Sequence, residues 1–157
     1  MIAQEIKPME EILGYLEGKK NILILGCGGC ATFYHTGDKK AVNDMGAKLE
    51  KEGKSVTKIN LPFGMQACDT EKSGMYLEKA KKNVEGSDAI LVMSCGDGVQ
   101  VVTDFTEHGM GVLKPVYPAN NALGLVGGGP TKFKETCLSC GMCELGKTAG
   151  ILSLIHI

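Results

Sequence analysis

The stretch NILILGCGGCA, residues 21–31, runs from a continuous apolar segment straight into a loop of three glycines and two cysteines. An apolar run of this length is typical of a strand covered on both faces, as in the middle of a parallel sheet. The loop that follows fits two motifs. Residues 26–31 match the dinucleotide pattern G-x-G-x-x-A, whereas Cys27 and Cys30 form the C-x-x-C spacing of metal and redox sites. The two interpretations compete for the same residues.

Strand-like and helix-like segments alternate along the chain up to about Asn120. Short apolar runs bounded by turn residues predict strands, and apolar residues spaced by three and four predict amphipathic helices. The expected strands fall within residues 21–26, 55–64, 87–94 and 114–119, and the expected helices within residues 8–18, 38–53, 73–84 and 96–109. This order predicts an α/β fold, a doubly wound and mostly parallel sheet of about four strands with right-handed crossovers.

The composition excludes several classes of protein. A net charge of -1 over 157 residues gives no reason to expect nucleic acid or a membrane surface as a partner. No apolar run approaches the ~18 to 20 residues that span a bilayer, and the acidic start MIAQEIKPMEE lacks the pattern of a signal peptide. We therefore expect a cytoplasmic protein, in which the seven cysteines serve metal or redox chemistry rather than disulfides.

Four of the cysteines follow predicted strands. Cys27 and Cys30 come after the first strand, Cys68 lies in the loop after the second, and Cys95 follows the strand AILVMS. Because ligands gather outside the carboxyl ends of parallel strands, all four should meet at one edge of the sheet. Four thiolates are the ligand count of a cubane iron–sulfur (4Fe–4S) cluster and equally of a closed tetrahedral zinc site. Spacing alone does not separate the two metals.

Other interpretations compete with a metal site. Dinucleotide binding and a thioredoxin-like redox pair both need a helix that starts at the loop, whereas ATFYHTG intervenes before the N-cap expected at Asp38. Cys68 and Cys95 could instead be small buried apolar residues. His35 could be an alternative metal ligand. A catalytic pair of Cys95 with His108 would lack a third member.

A second cysteine motif lies near the end of the chain and consists of Cys137, Cys140 and Cys143. Its C-x-x-C-x-x-C spacing supplies the first three positions of the bacterial ferredoxin run, in which a fourth cysteine follows after three residues. Lys147 stands at that place, so the predicted cluster or zinc site is one ligand short. We expect an α/β domain with the four-cysteine site over residues 1–122 and a separate cysteine-rich segment over residues 123–151.

Taken in order, these motifs resemble the methylenetetrahydrofolate reductase C-terminal domain family, which includes the small cysteine-rich partner subunit of acetogen-type methylenetetrahydrofolate reductase. The likeness covers residues 21–151. Its motifs are GCGGCATFYHTGDKKAVNDMGAKLEKEGK, QACD, SCGDGVQVV, PVYPANNALGL and CLSCGMCELGKTAGI. The ordered combination is far more specific than any single C-x-x-C.

The resemblance implies a non-catalytic α/β subunit that passes electrons to a flavin-containing barrel subunit, where methylenetetrahydrofolate becomes methyltetrahydrofolate. A separate electron donor protein would supply the electrons. Carried over by position, Cys27, Cys30, Cys68 and Cys95 would hold one 4Fe–4S cluster, and Cys137, Cys140 and Cys143 most of a second. The alternative function is a structural zinc protein or scaffold that uses the same cysteines.

The end of the chain departs from the family. Family members tend to have a cysteine and a proline after the T-x-G-I segment, whereas Leu152 and Ser153 stand here. The final hexapeptide LSLIHI resembles a translated sequencing adapter, so we expect residues 152–157 to be an artificial or truncated terminus. The expected second cluster therefore has only three cysteine ligands in this sequence.

Overall fold

The computed structural model describes residues 1–125. In chain order the elements are β1 (Ile2–Ile6), α1 (Met9–Tyr15), β2 (Asn21–Gly26), α2 (Cys30–Phe33), α3 (Lys39–Lys51), β3 (Ser55–Asn60), α4 (Thr70–Lys79), α5 (Lys81–Gly86), β4 (Ala89–Met93), α6 (Gly96–Asp104), a π-helical segment (Phe105–Gly109), β5 (Val116–Pro118) and β6 (Asn120–Leu125). No helix within these residues has the length and apolar character needed to cross a bilayer.

A four-stranded parallel sheet forms the centre of the fold, in the order β3-β2-β4-β5. Ile22 of β2 pairs with Val56 of β3 on one side and with Ala89 of β4 on the other. The predicted α/β fold with a parallel sheet of about four strands is confirmed. Because β3 and β4 lie on opposite sides of β2, the direction of winding reverses between β2 and β4.

Helices cover both faces of this sheet, and the side chains of β2 alternate between the two layers. Ile22 and Ile24 pack with residues of α1 and α3, whereas Leu23 and Leu25 pack with residues of α4, α5 and α6. All four side chains are at most 1% exposed. Each such burial contributes roughly 1.5 to 3 kcal/mol, so none of these four positions would tolerate a charged residue.

Two helix starts show how capping residues set the boundaries. The predicted N-cap Asp38 begins α3, where its carboxylate accepts a hydrogen bond of 2.7 Å from the Ala41 amide. The start predicted at Ser73 was wrong by three residues, because Asp69 caps α4 and accepts from the Lys72 amide at 3.1 Å. Ser73 is buried inside that helix instead.

A small antiparallel ribbon, β1 with β6, stands apart from the main sheet. The sequence predicts no strand after residue 119, whereas residues Asn120–Leu125 form β6 and pair with Ile2–Ile6. Asn120 is buried, and its side-chain amide donates to Gln4 Oε1 at 3.0 Å. The domain boundary expected after residue 122 therefore falls inside β6.

We predict that Asp38→Ala lowers the free energy of unfolding by about 1 kcal/mol at neutral pH, since the α3 amides lose their N-cap. Burial disfavours the charged carboxylate, but hydrogen bonds from the Ala41 amide and from His35 outweigh it and hold the pKa of Asp38 below its usual value. A lowered pKa means that the stabilisation is present at neutral pH and is lost as the pH falls through the folded-state pKa.

Urea unfolding of Asp38→Ala and the parent chain, followed from pH 7 down to acid, measures this difference. The gap between the two proteins should close below about pH 4. Lys39→Ala, at the next and exposed position, is the matched control and should change stability by less than about 0.5 kcal/mol. An Asp38→Ala protein as stable as the Lys39→Ala protein would contradict the capping role.

Candidate metal centre

The four cysteines predicted as ligands follow three neighbouring strands at the carboxyl end of the sheet, which we call the cysteine edge. Cys27 directly follows β2, and Cys95 follows β4 as the residue before α6. Cys68 lies in the β3–α4 connection, and Cys30 is the first residue of α2. Because the winding reverses between β2 and β4, Cys27 and Cys95 flank the crevice in which open α/β sheets bind ligands.

Cys27 has the most completely defined surroundings of the four. Its thiol is buried, and its backbone amide donates to the Met93 carbonyl at the end of β4 at 3.4 Å. Its sulfur accepts hydrogen bonds from the amides of Gly29 at 3.4 Å and Ala67 at 3.3 Å. Amide donors of this kind stabilise negative charge on sulfur, whether in a thiolate or in a metal-bound ligand.

The glycines of the loop let the β2–α2 and β3–α4 connections touch. A Cβ atom at Gly28 would stand 1.9 Å from the Pro62 carbonyl oxygen, and one at Gly29 would stand 2.7 Å from the side chain of Gln66. The Gly28 carbonyl also accepts from the Gly64 amide at 2.8 Å. The glycines are therefore explained by close packing of two loops, which also brings the Ala67 amide to the Cys27 sulfur.

The expectation that the ATFYHTG segment separates the loop from the first following helix was wrong, because a four-residue helix, α2, begins at Cys30. The Thr32 hydroxyl donates to the Cys27 carbonyl at 2.7 Å, which ties this helix to the loop. The helix ends after one turn because His35 adopts a left-handed conformation with φ of 54°. A single turn offers only a weak helix dipole for a dinucleotide phosphate or for a thioredoxin-like thiolate.

Cys27 and Cys95 both lie close enough to Cys68 for their charges to act on its thiol. Cys95 is only 7% exposed, whereas Cys68 is partly exposed and its thiol lies 3.5 Å from Gln66 Oε1. Burial raises the pKa of Cys68 to about 12, and negative charge on Asp97, Cys95 and Cys27 adds to the effect. Without a bound metal the Cys68 side chain is therefore a neutral thiol at neutral pH, a poor nucleophile for thiol catalysis.

The four side chains are not gathered around one point as they stand. Within residues 1–125, no group of three or more His, Cys, Asp or Glu side chains is close enough together to hold a metal ion. The donor chemistry, four thiols with amide donors already aimed at one sulfur, fits a thiolate-ligated centre, and loading it requires the side chains to close.

The two histidines considered from sequence have ordinary surface partners. His35 Nδ1 lies 2.9 Å from Asp38, and His108 Nδ1 lies 3.1 Å from Asp104. The residues predicted to carry the second centre, Cys137, Cys140 and Cys143, lie outside the described part of the chain, as do residues 152–157. Sequence reasoning missed the amide of Ala67 and the carboxylate of Asp97, because neither belongs to a motif.

We predict that Gly28→Ala destabilises the fold by about 1 to 3 kcal/mol, because the added methyl group would overlap the Pro62 carbonyl. Gly14→Ala in α1 is the matched control. A Cβ atom there meets nothing within 4 Å, so the same substitution should stabilise by about 0.5 to 1 kcal/mol. Urea unfolding of both variants measures the difference, and equal stabilities would contradict the contact between the two loops.

We also predict that the metal-free, reduced protein loses stability as the pH rises above about 9, relative to Cys68→Ala. The raised pKa means that Cys68 keeps its proton in the folded chain while the unfolded chain gives it up, so rising pH favours unfolding until the folded-state pKa is passed. Unfolding of both proteins between pH 7 and 10.5 measures the effect. If the stabilities of the two proteins change with pH in parallel, the pKa of Cys68 is not raised in the folded chain, which would contradict the prediction.

Comparisons with protein-family models, with curated proteins and with solved structures found no match to this chain. The candidate centre therefore rests on the position of the cysteines at the sheet edge and on the contacts of Cys27 and Cys68.

Proposed function

We propose that this chain is the iron–sulfur electron-transfer subunit of a methylenetetrahydrofolate reductase complex. It would relay electrons from a donor protein to a flavin-containing barrel subunit in cytoplasmic one-carbon metabolism. The observation that carries the proposal is the arrangement of Cys27 and Cys95 at the point where the winding reverses, with Cys68 within electrostatic range of both. The second support for the proposal is the order of the cysteine motifs along the chain, which resembles that of the methylenetetrahydrofolate reductase C-terminal domain family.

The proposed ligands of a 4Fe–4S cluster at the cysteine edge are Cys27, Cys30, Cys68 and Cys95. A bound cluster would supply one-electron transfer, with a potential set by hydrogen bonds to sulfur and by solvent exposure. The amides of Gly29 and Ala67 would continue to donate to the Cys27 sulfur and so favour the more negative, reduced state. Cys68 must lose its proton to become a ligand, so loading should release protons.

The position of the four thiols favours a bound centre over a set of independent buried cysteines. Cys27 and Cys95 are buried, whereas Cys30 and Cys68 are partly exposed on a one-turn helix and on a loop. Neither of the two partly exposed thiols lies on a strand, so closing the site around them would leave the central strands in place. This division suits a cofactor that enters from solvent after the sheet has folded.

The rival function is a structural zinc site. The same four thiolates would close a tetrahedron around zinc, stiffen the loops and transfer no electrons. The described residues do not discriminate between the two metals, because both accept all-thiolate ligation. The C-x-x-C-x-x-C motif of residues 137–143 favours the cluster, since that spacing belongs to the ferredoxin run.

Metal content of the full chain, isolated without oxygen, separates the two functions. The proposal predicts iron and acid-labile sulfide together with broad visible absorption that bleaches on reduction. It also predicts that a flavin-containing barrel protein co-purifies with the chain. A colourless protein that holds stoichiometric zinc would establish the rival and overturn the electron-transfer role.

We predict that Cys68→Ser lowers the iron and sulfide content by one cluster and leaves the far-ultraviolet circular dichroism of the sheet unchanged. Serine keeps the size of the side chain but supplies no thiolate. Lys39→Ala, an exposed substitution at the start of α3, is the control and should change neither quantity. Full iron content in the Cys68→Ser protein would remove that residue from the ligand set.

A further inference from the structure

A pair of exposed phenyl rings lies beside the cysteine edge. Phe33 ends α2 and Phe63 lies in the β3–α4 connection. Their ring centroids are 5.5 Å apart with the planes tilted by 60°, and the side chains are 45% and 73% exposed. With the neighbouring exposed residues Pro62 and Gln66 they form what we call the Phe33–Phe63 face. Exposed, paired aromatic residues are typical of the anchors of an interface.

The two chain segments that carry this face contain no charged residue. Residues 21–34 and 59–68 contain no Asp, Glu, Lys, Arg or His. Depletion of charge at the centre, with charged groups at the rim, is the compositional mark of protein interfaces. The exposed carboxylate of Asp97, at the start of α6, is close enough to act on the pKa of Cys68, which lies in the same β3–α4 connection as Phe63.

The last described strand begins beside the cysteine edge. Since β5 is parallel to β4, Pro118 lies at the cysteine edge of the sheet, and β6 begins two residues later. The β1–β6 ribbon contacts α2, the helix that ends in Phe33, and the Asn120 side chain donates to the Thr36 carbonyl at 3.3 Å. The residues after Leu125 therefore start from a ribbon that is packed against the same part of the molecule.

We propose that residues 126–151 of this chain dock on the Phe33–Phe63 face, with Phe133 as the anchor. Phe133 is the only Phe, Tyr or Trp after residue 125, and Lys132 and Lys134 flank it with charge complementary to Asp97. Phe133 is the eighth residue after Leu125, so the connection reaches at most about 28 Å. A tether this short gives an effective concentration in the millimolar range, so a weak contact suffices.

The docking places the C-x-x-C-x-x-C motif beside the four-cysteine edge. It needs no bound metal, because its contacts are aromatic and ionic. Docking would hold two metal centres next to each other in one subunit, which would help electron transfer. This benefit rests on the proposed function. The two proposals can therefore be tested separately. Metal content tests the proposed function, and contact between residues 126–151 and the Phe33–Phe63 face tests the docking.

Photo-crosslinking in the full, reduced chain tests the contact. The crosslinking residue p-benzoylphenylalanine replaces Phe63, and mass spectrometry identifies the peptides joined after irradiation. We expect a monomeric product in which position 63 is joined to residues 126–151, in both metal-free and metal-loaded protein. The matched control places the same residue at Leu113, which is 78% exposed and lies just before β5 at the opposite end of the sheet.

The control should yield at least about tenfold less of this intrachain product, and Phe133→Ala should lower the yield from position 63 several-fold. Equal yields from positions 63 and 113 would overturn the docking. Products joined only to a second copy of the chain or to a barrel subunit would overturn it as well, because the face would then belong to another partner. A yield unchanged by Phe133→Ala would contradict the proposed anchor.

Discussion

Parallel pairing of β2 with both β3 and β4 is the constraint on which the rest of the structure depends. It requires a strand that is buried on both faces, and the uncharged run of residues 22–26 meets that requirement. Parallel pairing also places the carboxyl ends of all the strands at one edge, so three connections that are distant in sequence emerge together. The cysteines of those connections therefore lie at the same edge of the sheet although they are far apart in the sequence.

The β2–α2 and β3–α4 connections approach each other closely at this edge, and specific contacts form between them. Gly28 leaves room for the Pro62 carbonyl, and that approach delivers the Ala67 amide to the Cys27 sulfur. The same loop carries Cys68, whose burial and acidic surroundings keep its thiol neutral in the metal-free chain. The edge therefore combines one sulfur already prepared for negative charge with another that must lose a proton before it can bind a metal. Loading and protonation are linked for this reason.

Much of this arrangement could be predicted from the sequence, because it follows from local patterns. The apolar run predicted β2 with correct bounds, and Asp38 predicted the start of α3. The β1–β6 ribbon was missed because its pairing joins residues more than a hundred positions apart, and its strands mix polar with apolar side chains. The distances between the four thiols could not be predicted from the sequence either, because they depend on how two loops pack and not on any motif.

The central claim is that the thiols at positions 27, 30, 68 and 95 close around a single polynuclear iron centre. Iron-edge X-ray absorption of the anaerobic chain tests it most directly, with Cys137, Cys140 and Cys143 all replaced by serine so that only the cysteine edge can bind. The account predicts a first shell made only of sulfur and a second shell of iron. Iron bound mainly through oxygen or nitrogen, with no iron neighbour, would contradict it, as would zinc in place of iron.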